Sequence, residues 1–144
     1  MATLILGNTD SEYFRASFGD RPFLDSEHAF DRNQVAVQLD LLIWPFRASF
    51  ETTWMVDSLS SFRSELERAY KTLEGEARFL PDYDGSLDVT LSGDGIGHFA
   101  IKRVVCSNPA TGPWFKFQLP TIDQTFLPEM ISSISDLQEE YPIL

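Results

Sequence analysis

Val35-Ala36-Val37-Gln38-Leu39-Asp40-Leu41-Leu42-Ile43-Trp44-Pro45-Phe46-Arg47-Ala48-Ser49-Phe50-Glu51-Thr52-Thr53-Trp54-Met55-Val56 is the stretch that decides the class of fold. Val35, Val37, Leu39, Leu41 and Ile43 alternate with Ala36, Gln38, Asp40, Leu42 and Trp44. A strict period of two puts successive side chains on opposite faces and predicts a strand. Pro45 ends it, because proline has no N–H to give to a ladder. Ala48, Phe50, Thr52, Trp54 and Val56 repeat the alternation, with Glu51 and Thr53 on the other face. Trp44-Pro45-Phe46-Arg47 is therefore read as the turn of a hairpin.

The period changes immediately downstream. Asp57 or Ser58 can cap a helix in which Leu59, Phe62, Leu66, Ala69, Tyr70 and Leu73 share one stripe. Arg63, Glu65, Glu67, Arg68 and Lys71 lie off it, and Gly75 is placed to be the C′ glycine. Ala77 to Leu80 then opens a second run of strands. Asp84-Gly85 is a hairpin turn signal before alternating Leu87, Val89 and Leu91, and Gly93-Asp94-Gly95 turns the chain into Ile96 to Cys106. Asn108-Pro109-Ala110-Thr111-Gly112-Pro113 connects to a last strand, Trp114 to Leu119. Thr125 is the expected N-cap of a closing helix carrying Phe126, Leu127, Met130, Ile131, Ile134 and Leu137, with Pro128 tolerated in its first turn.

Upstream, Thr3 to Leu6 and Tyr13 to Phe18 read as strands, and the mixed polar residues from Gly19 to Asn33 as a long loop. Hairpin-length links require antiparallel pairing. The expectation is an α+β domain spanning residues 1–144: an antiparallel sheet with two amphipathic helices packed on one face, in strands-helix-strands-helix order.

Composition narrows the function. A chain of 144 residues can bury a proper core, and 43% apolar with 23% charged residues is ordinary for a globular protein. The aromatic share of 13%, with twelve Phe, favours sheet and leaves material for a contact face. One cysteine, Cys106, excludes an intrachain disulfide and a Cys-built zinc site. In the apolar run Val104-Val105-Cys106 it reads as a small core residue. The first residues lack the basic region of a signal peptide, and no stretch approaches the roughly 20 apolar residues of a membrane helix. A cytoplasmic protein is expected.

Eleven Lys plus Arg against 22 Asp plus Glu leave a net charge of −11. Such a surface repels nucleic acid, whose affinity for proteins comes largely from neutralised phosphates, and equally repels anionic lipid. It would attract a basic protein and speed its capture. The plainer reading is solubility.

The candidate sites are few. Gly93, Gly95 and Gly97 do not make a nucleotide loop: a dinucleotide fingerprint needs glycine where His98 stands, and it must open a helix. Asp82, Asp84 and Asp88 cluster around a turn but lack the ligand spacing and closing Glu of a calcium loop, so no metal site is expected. Asp94 precedes His98 by four residues and could orient its imidazole, as an acid–base histidine requires; the alternatives are a ring that bonds its own turn or touches a partner. No Gly-x-Ser-x-Gly elbow is present. Trp44 and Phe46 flank a proline at a turn tip, where an interface anchor competes with core packing. Glu74, Glu76, Asp82, Asp84 and Asp88 lie on neighbouring segments and could form one negative face toward a basic partner, or simply be solvated.

Leu73-Glu74-Gly75-Glu76-Ala77, Asp94-Gly95-Ile96-Gly97-His98 and Asp123-Gln124-Thr125-Phe126-Leu127, behind a strand-helix lead, together resemble the WapI-like immunity proteins, which are related to small bacterial domains of unknown function. The likeness runs from about Val35 to Tyr141, and the first thirty or so residues carry none of it. It implies a small cytoplasmic protein that binds and blocks the toxic C-terminal domain of a polymorphic bacterial toxin, in this family an RNA-cleaving enzyme. No motif of the family marks toxin-contacting residues, so none is carried over.

The leading expectation is thus a binding protein rather than an enzyme, without cofactor, whose partner is a basic toxin domain and neither nucleic acid nor membrane. The rival is a small-ligand binder or modest enzyme with a pocket including Asp94 and His98. A third reading makes the chain a subunit of an unrelated complex, with the aromatic hairpin tip as its contact.

Overall fold

Among the described residues, eight strands pair with their neighbours in sequence, but in two groups rather than one. The computed structural model describes residues 2–8, 12–82, 85–108 and 110–144. The first group holds β1 (Thr3–Asn8), β2 (Glu12–Phe18), β3 (Gln34–Ile43) and β4 (Phe46–Met55). The second holds β5 (Glu74–Phe79), β6 (Leu87–Asp94), β7 (His98–Cys106) and β8 (Trp114–Asp123). Each is a four-stranded antiparallel sheet in the order of the chain, so the single sheet expected from the hairpin signals is in fact two. The reason is α2 (Ser58–Thr72), which intervenes between β4 and β5 and carries the chain away from β4. The other helices are α1 (Ala29–Arg32), a single turn inside the expected long loop, and α3 (Leu127–Glu140), entered through a 3-10 turn at Gln124–Phe126.

Period-two patterning sorts the faces. Phe14, Ala16 and Phe18 of β2, with Val35, Val37, Leu39 and Leu41 of β3, are buried. Their alternates in β3, Gln38 and Asp40, instead join an outer polar network through Ser49, whose hydroxyl donates to Asp40 at 2.8 Å. In the second sheet Ala77, Phe79, Leu87, Val89, Leu91, Phe99 and Ile101 point inward. All of these join one core with Leu59, Phe62, Leu66 and Ala69 of α2 and Leu127, Met130, Ile134 and Leu137 of α3. The α2 helix packs on β5 and α3, and α3 packs on β1. The helices therefore flank the shared core rather than tiling one face of one sheet. At its centre Trp54 stands edge-on to Phe18 and Phe79, and Phe79 stacks on Phe62 at 4.7 Å. Each such ring contributes roughly 1.5–3 kcal/mol by burial.

Strand β4 joins the halves. Phe46 touches Phe115 of β8, the Thr52 and Ser86 hydroxyls lie 3.4 Å apart at the start of β6, and the Met55 N–H donates to the Pro81 carbonyl just past β5. It thus reaches β8, the start of β6 and the end of β5 in turn.

Helix ends depart from expectation in instructive ways. Asp57 occupies the N-cap of α2 without a capping bond, while the Ser58 hydroxyl donates back to the Met55 carbonyl at 2.6 Å. At the other end Leu73 is the C-cap and takes the left-handed conformation, with φ 62°, while Gly75, also at positive φ (84°), lies two residues on within β5. The Leu73 carbonyl accepts from the Gly95 N–H at 2.8 Å, which ties the end of α2 to the β6–β7 hairpin. The 3-10 turn before α3 is capped by Asp123, whose carboxylate accepts from the Thr125 N–H at 2.9 Å, so Thr125 is the capped residue rather than the cap.

Candidate partner-binding surfaces

The β6–β7 hairpin brings Asp94 and His98 together. Gly95 and Gly97 take positive φ (87° and 107°), which folds the turn back on itself. Asp94 Oδ1 then accepts from the Ile96 N–H at 2.9 Å and the His98 N–H at 3.1 Å, and Oδ2 lies 3.1 Å from His98 Nδ1. These bonds to the charged form, the Ile96 N–H first among them, hold the Asp94 carboxyl below its ordinary 3.8. Both side chains are exposed on the outside of the turn. Cys106 is buried at the far end of β7 from His98, so this Asp–His pair has no thiol beside it. The arrangement locks a hairpin and displays an imidazole.

Register decides which acids share a face. Glu74 stands opposite Asp94, and Glu76 opposite Ser92. By the period of two, Glu74, Glu76 and Arg78 of β5 share the outer face of the second sheet with Asp88 and Asp94 of β6. Asp88 is not free there. Arg78 donates to it through Nε at 3.0 Å and Nη2 at 2.9 Å, and this fork is the main cause that raises the Arg78 pKa. Asp82 stands apart from that face and holds the β5–β6 connection by accepting from the Gly85 N–H (2.7 Å), the Ser86 N–H (3.0 Å) and the Ser86 hydroxyl. Asp84 lies outside the described residues. The negative surface anticipated from five acids is thus built by Glu74 and Glu76, joined by Asp94.

The aromatic tip is real and larger than the hairpin itself. Trp44 is 76% exposed and Phe46 59% exposed, yet the Phe46 ring rests on Phe115, 5.7 Å between centroids. Phe115 in turn stacks on Phe117 at 6.1 Å, while Trp114, its neighbour in sequence on the opposite face of β8, is 60% exposed. Sequence reasoning missed Phe115 as a member of this patch, because it joins across the gap between two sheets. The only signal was the alternation Trp114-Phe115-Lys116-Phe117, which puts Phe115 and Phe117 on one face and Trp114 on the other.

A pocket of about 310 Å³ opens where α2 begins, lined by Met55, Leu80 and Pro81 with Asp57, Ser58, Ser61, Asp82 and Gly85 around them. Neither Asp94 nor His98 belongs to it. Among the described residues no group of three His, Cys, Asp or Glu side chains is placed to hold a metal ion, and no helix is long and apolar enough to cross a membrane.

Exposed aromatic anchors and an acidic sheet face describe a surface suited to binding another protein. No curated protein matches the chain. The model of the Immunity protein WapI-like family matches residues 5–142, including β1 and β2, where the sequence carries none of the motifs that suggested the likeness. With that match covering nearly its whole length, the chain belongs to the WapI-like immunity protein family.

Proposed function

We propose that this protein acts in the cytoplasm as an immunity protein, folding as one domain and neutralising a basic, nuclease-type toxin domain by direct binding rather than by any reaction of its own. Family membership carries the class of function. The charge carries the character of the partner. At −11 the chain steers a basic surface toward itself and away from nucleic acid, and Glu74 and Glu76 lie side by side on an exposed face to receive it. Trp44 and Phe46 offer the aromatic anchors on which binding energy concentrates. Asp82, Asp84 and Asp88 add to the field, although Asp82 and Asp88 already hold partners within the chain.

The test is titration of the cognate toxin domain with this protein at low and high salt, with nuclease activity read alongside binding. Stoichiometric loss of activity with salt-sensitive association supports the reading. Retained activity in a saturated complex, or no complex at low salt, rejects it.

A further inference from the structure

Three of the four sheet edges have something against them. The β5 edge lies along α2, where Glu65 accepts from the Arg78 N–H at 3.0 Å, and β1 packs against both α3 and β8. Among the described residues, the edge of β4 finds a backbone partner only at Met55. Its Met55 N–H points away from β3, to Pro81, whereas Val56 donates to Asn33 on the β3 side. Residues of an antiparallel strand alternate in the side to which they present N–H and C=O. The β3–β4 register runs unbroken from Gln34–Met55 to Ile43–Phe46, so Arg47, Ser49 and Glu51 also present their backbone groups away from β3. Among the described residues, none of these three makes a backbone hydrogen bond on that side, and all three are exposed. A row of unpaired donors and acceptors is a template for another strand.

The sequence on that edge is self-complementary. When Arg47-Ala48-Ser49-Phe50-Glu51 is laid antiparallel to a second copy about a two-fold axis at Ser49, Arg47 of each copy faces Glu51 of the other. Ser49 then meets its own counterpart, and Ala48 meets Phe50. The outward-pointing residues of one copy meet the outward-pointing residues of the other, as the ladder requires. Among the described residues, neither Arg47 nor Glu51 has an ion pair or side-chain hydrogen bond within its own chain. We infer that β4 is a homodimer edge, pairing with β4 of a second copy to join two four-stranded sheets into one of eight strands. The two cross-strand Arg47–Glu51 pairs fix its register against the repulsion of two chains of charge −11 each.

A charge swap on the full chain tests this. Sedimentation velocity across a wide range of concentration, up to about 1 mM, reads the dimer fraction. The wild type moves from monomer to dimer as concentration rises. Arg47→Glu and Glu51→Arg, each alone, set like charges opposite one another and weaken association by on the order of tenfold, and the double variant restores it. A chain that stays monomeric throughout, a dimer indifferent to the single variants, or a double variant that does not recover overturns the inference. Should a variant lose its fold, wild-type amide exchange decides: exchange at Arg47, Ser49 and Glu51 slows with rising concentration if β4 self-pairs. Amides protected only when toxin is added assign the edge to a toxin strand and overturn the dimer.

Discussion

The side-chain amide of Asn33 holds the backbone of Leu144 by both of its groups. Its Oδ1 accepts from the Leu144 N–H at 2.7 Å, and its Nδ2 donates to the Leu144 backbone oxygen at 3.1 Å. The same Nδ2 reaches the Ala29 carbonyl at 2.8 Å, and Asn33 is buried. Arg21 adds a bond to the Pro142 carbonyl, and the Tyr141 hydroxyl donates to the Gly19 carbonyl at 2.8 Å. One amide thus fastens the residues after α3 onto the loop before β3. Asn33→Ala is expected to cost about 1–3 kcal/mol in urea unfolding, with faster exchange of the Leu144 amide, because a buried hub of hydrogen bonds is lost together. Asn33→Asp keeps the acceptor, loses the donor, and should fall between.

Gly93 and Gly95 are two residues apart and should answer alanine differently. A Cβ on Gly93 would meet the Leu73 carbonyl oxygen at 2.5 Å and the Glu74 Cα at 3.0 Å, both backbone. Gly93→Ala must therefore push the end of α2 off β6, and overpacking of this kind costs about 1–3 kcal/mol. At Gly95 nothing lies within 4 Å, and the penalty is conformational, from φ of +87°. Gly95→Ala should cost about 1 kcal/mol. Thermal unfolding of the pair distinguishes steric from conformational demand.

Acid should release the β6–β7 turn. The folded-state pKa of Asp94 lies below its ordinary 3.8, first because of the Ile96 N–H. A depressed carboxyl stabilises the fold above its unfolded value, and that contribution fades as pH falls through 3.8 toward the folded value. The expected result is a carboxyl titration at Asp94 by NMR with a midpoint below 3.8, and an Asp94→Asn variant whose stability is less sensitive to pH in that window. The site is exposed, so the effect is small, and a midpoint at or above 3.8 contradicts the hydrogen-bonded turn.

Anchors and steering residues should separate kinetically in toxin binding. Trp44→Ala or Phe46→Ala is expected to weaken the complex by about 2 kcal/mol or more, near thirtyfold in Kd, mostly through faster dissociation. Glu74→Lys with Glu76→Lys should slow association and flatten its salt dependence, with little change in the dissociation rate. Surface plasmon resonance at two ionic strengths reads both. Equal effects of both variant sets on both rates would sink the division of labour.

Local order was legible because its causes are local. Alternation from Val35 to Ile43 matches β3, and the stripe from Leu59 to Leu73 matches α2 to within a residue at each end. The division into two sheets was not legible. Hairpin links reveal which strands pair in sequence, but nothing in Leu73-Glu74-Gly75 states that β5 will not return to the β4 edge. Propensity points to Gly75 as the helix stop, and Gly75 does take positive φ, but α2 is already capped at Leu73, where the chain comes close to Gly93. The acidic face was readable as far as Glu74 and Glu76, since parity alone puts them together. That Asp88 is taken by Arg78 depends on cross-strand register, and that Phe46 meets Phe115 depends on how the sheets pack.

Each strand hydrogen-bonds only to the one before or after it in the chain, so the ladders close short loops, and ordering them demands little search. The contacts between the sheets are the exception: β1 waits for β8, Phe46 for Phe115, and Met55 for Pro81. Folding should therefore be fast for so β-rich a chain. Its two meanders form early, and substitutions at Phe46 or Phe115 speed unfolding while leaving the folding rate nearly unchanged, the mark of contacts made after the transition state.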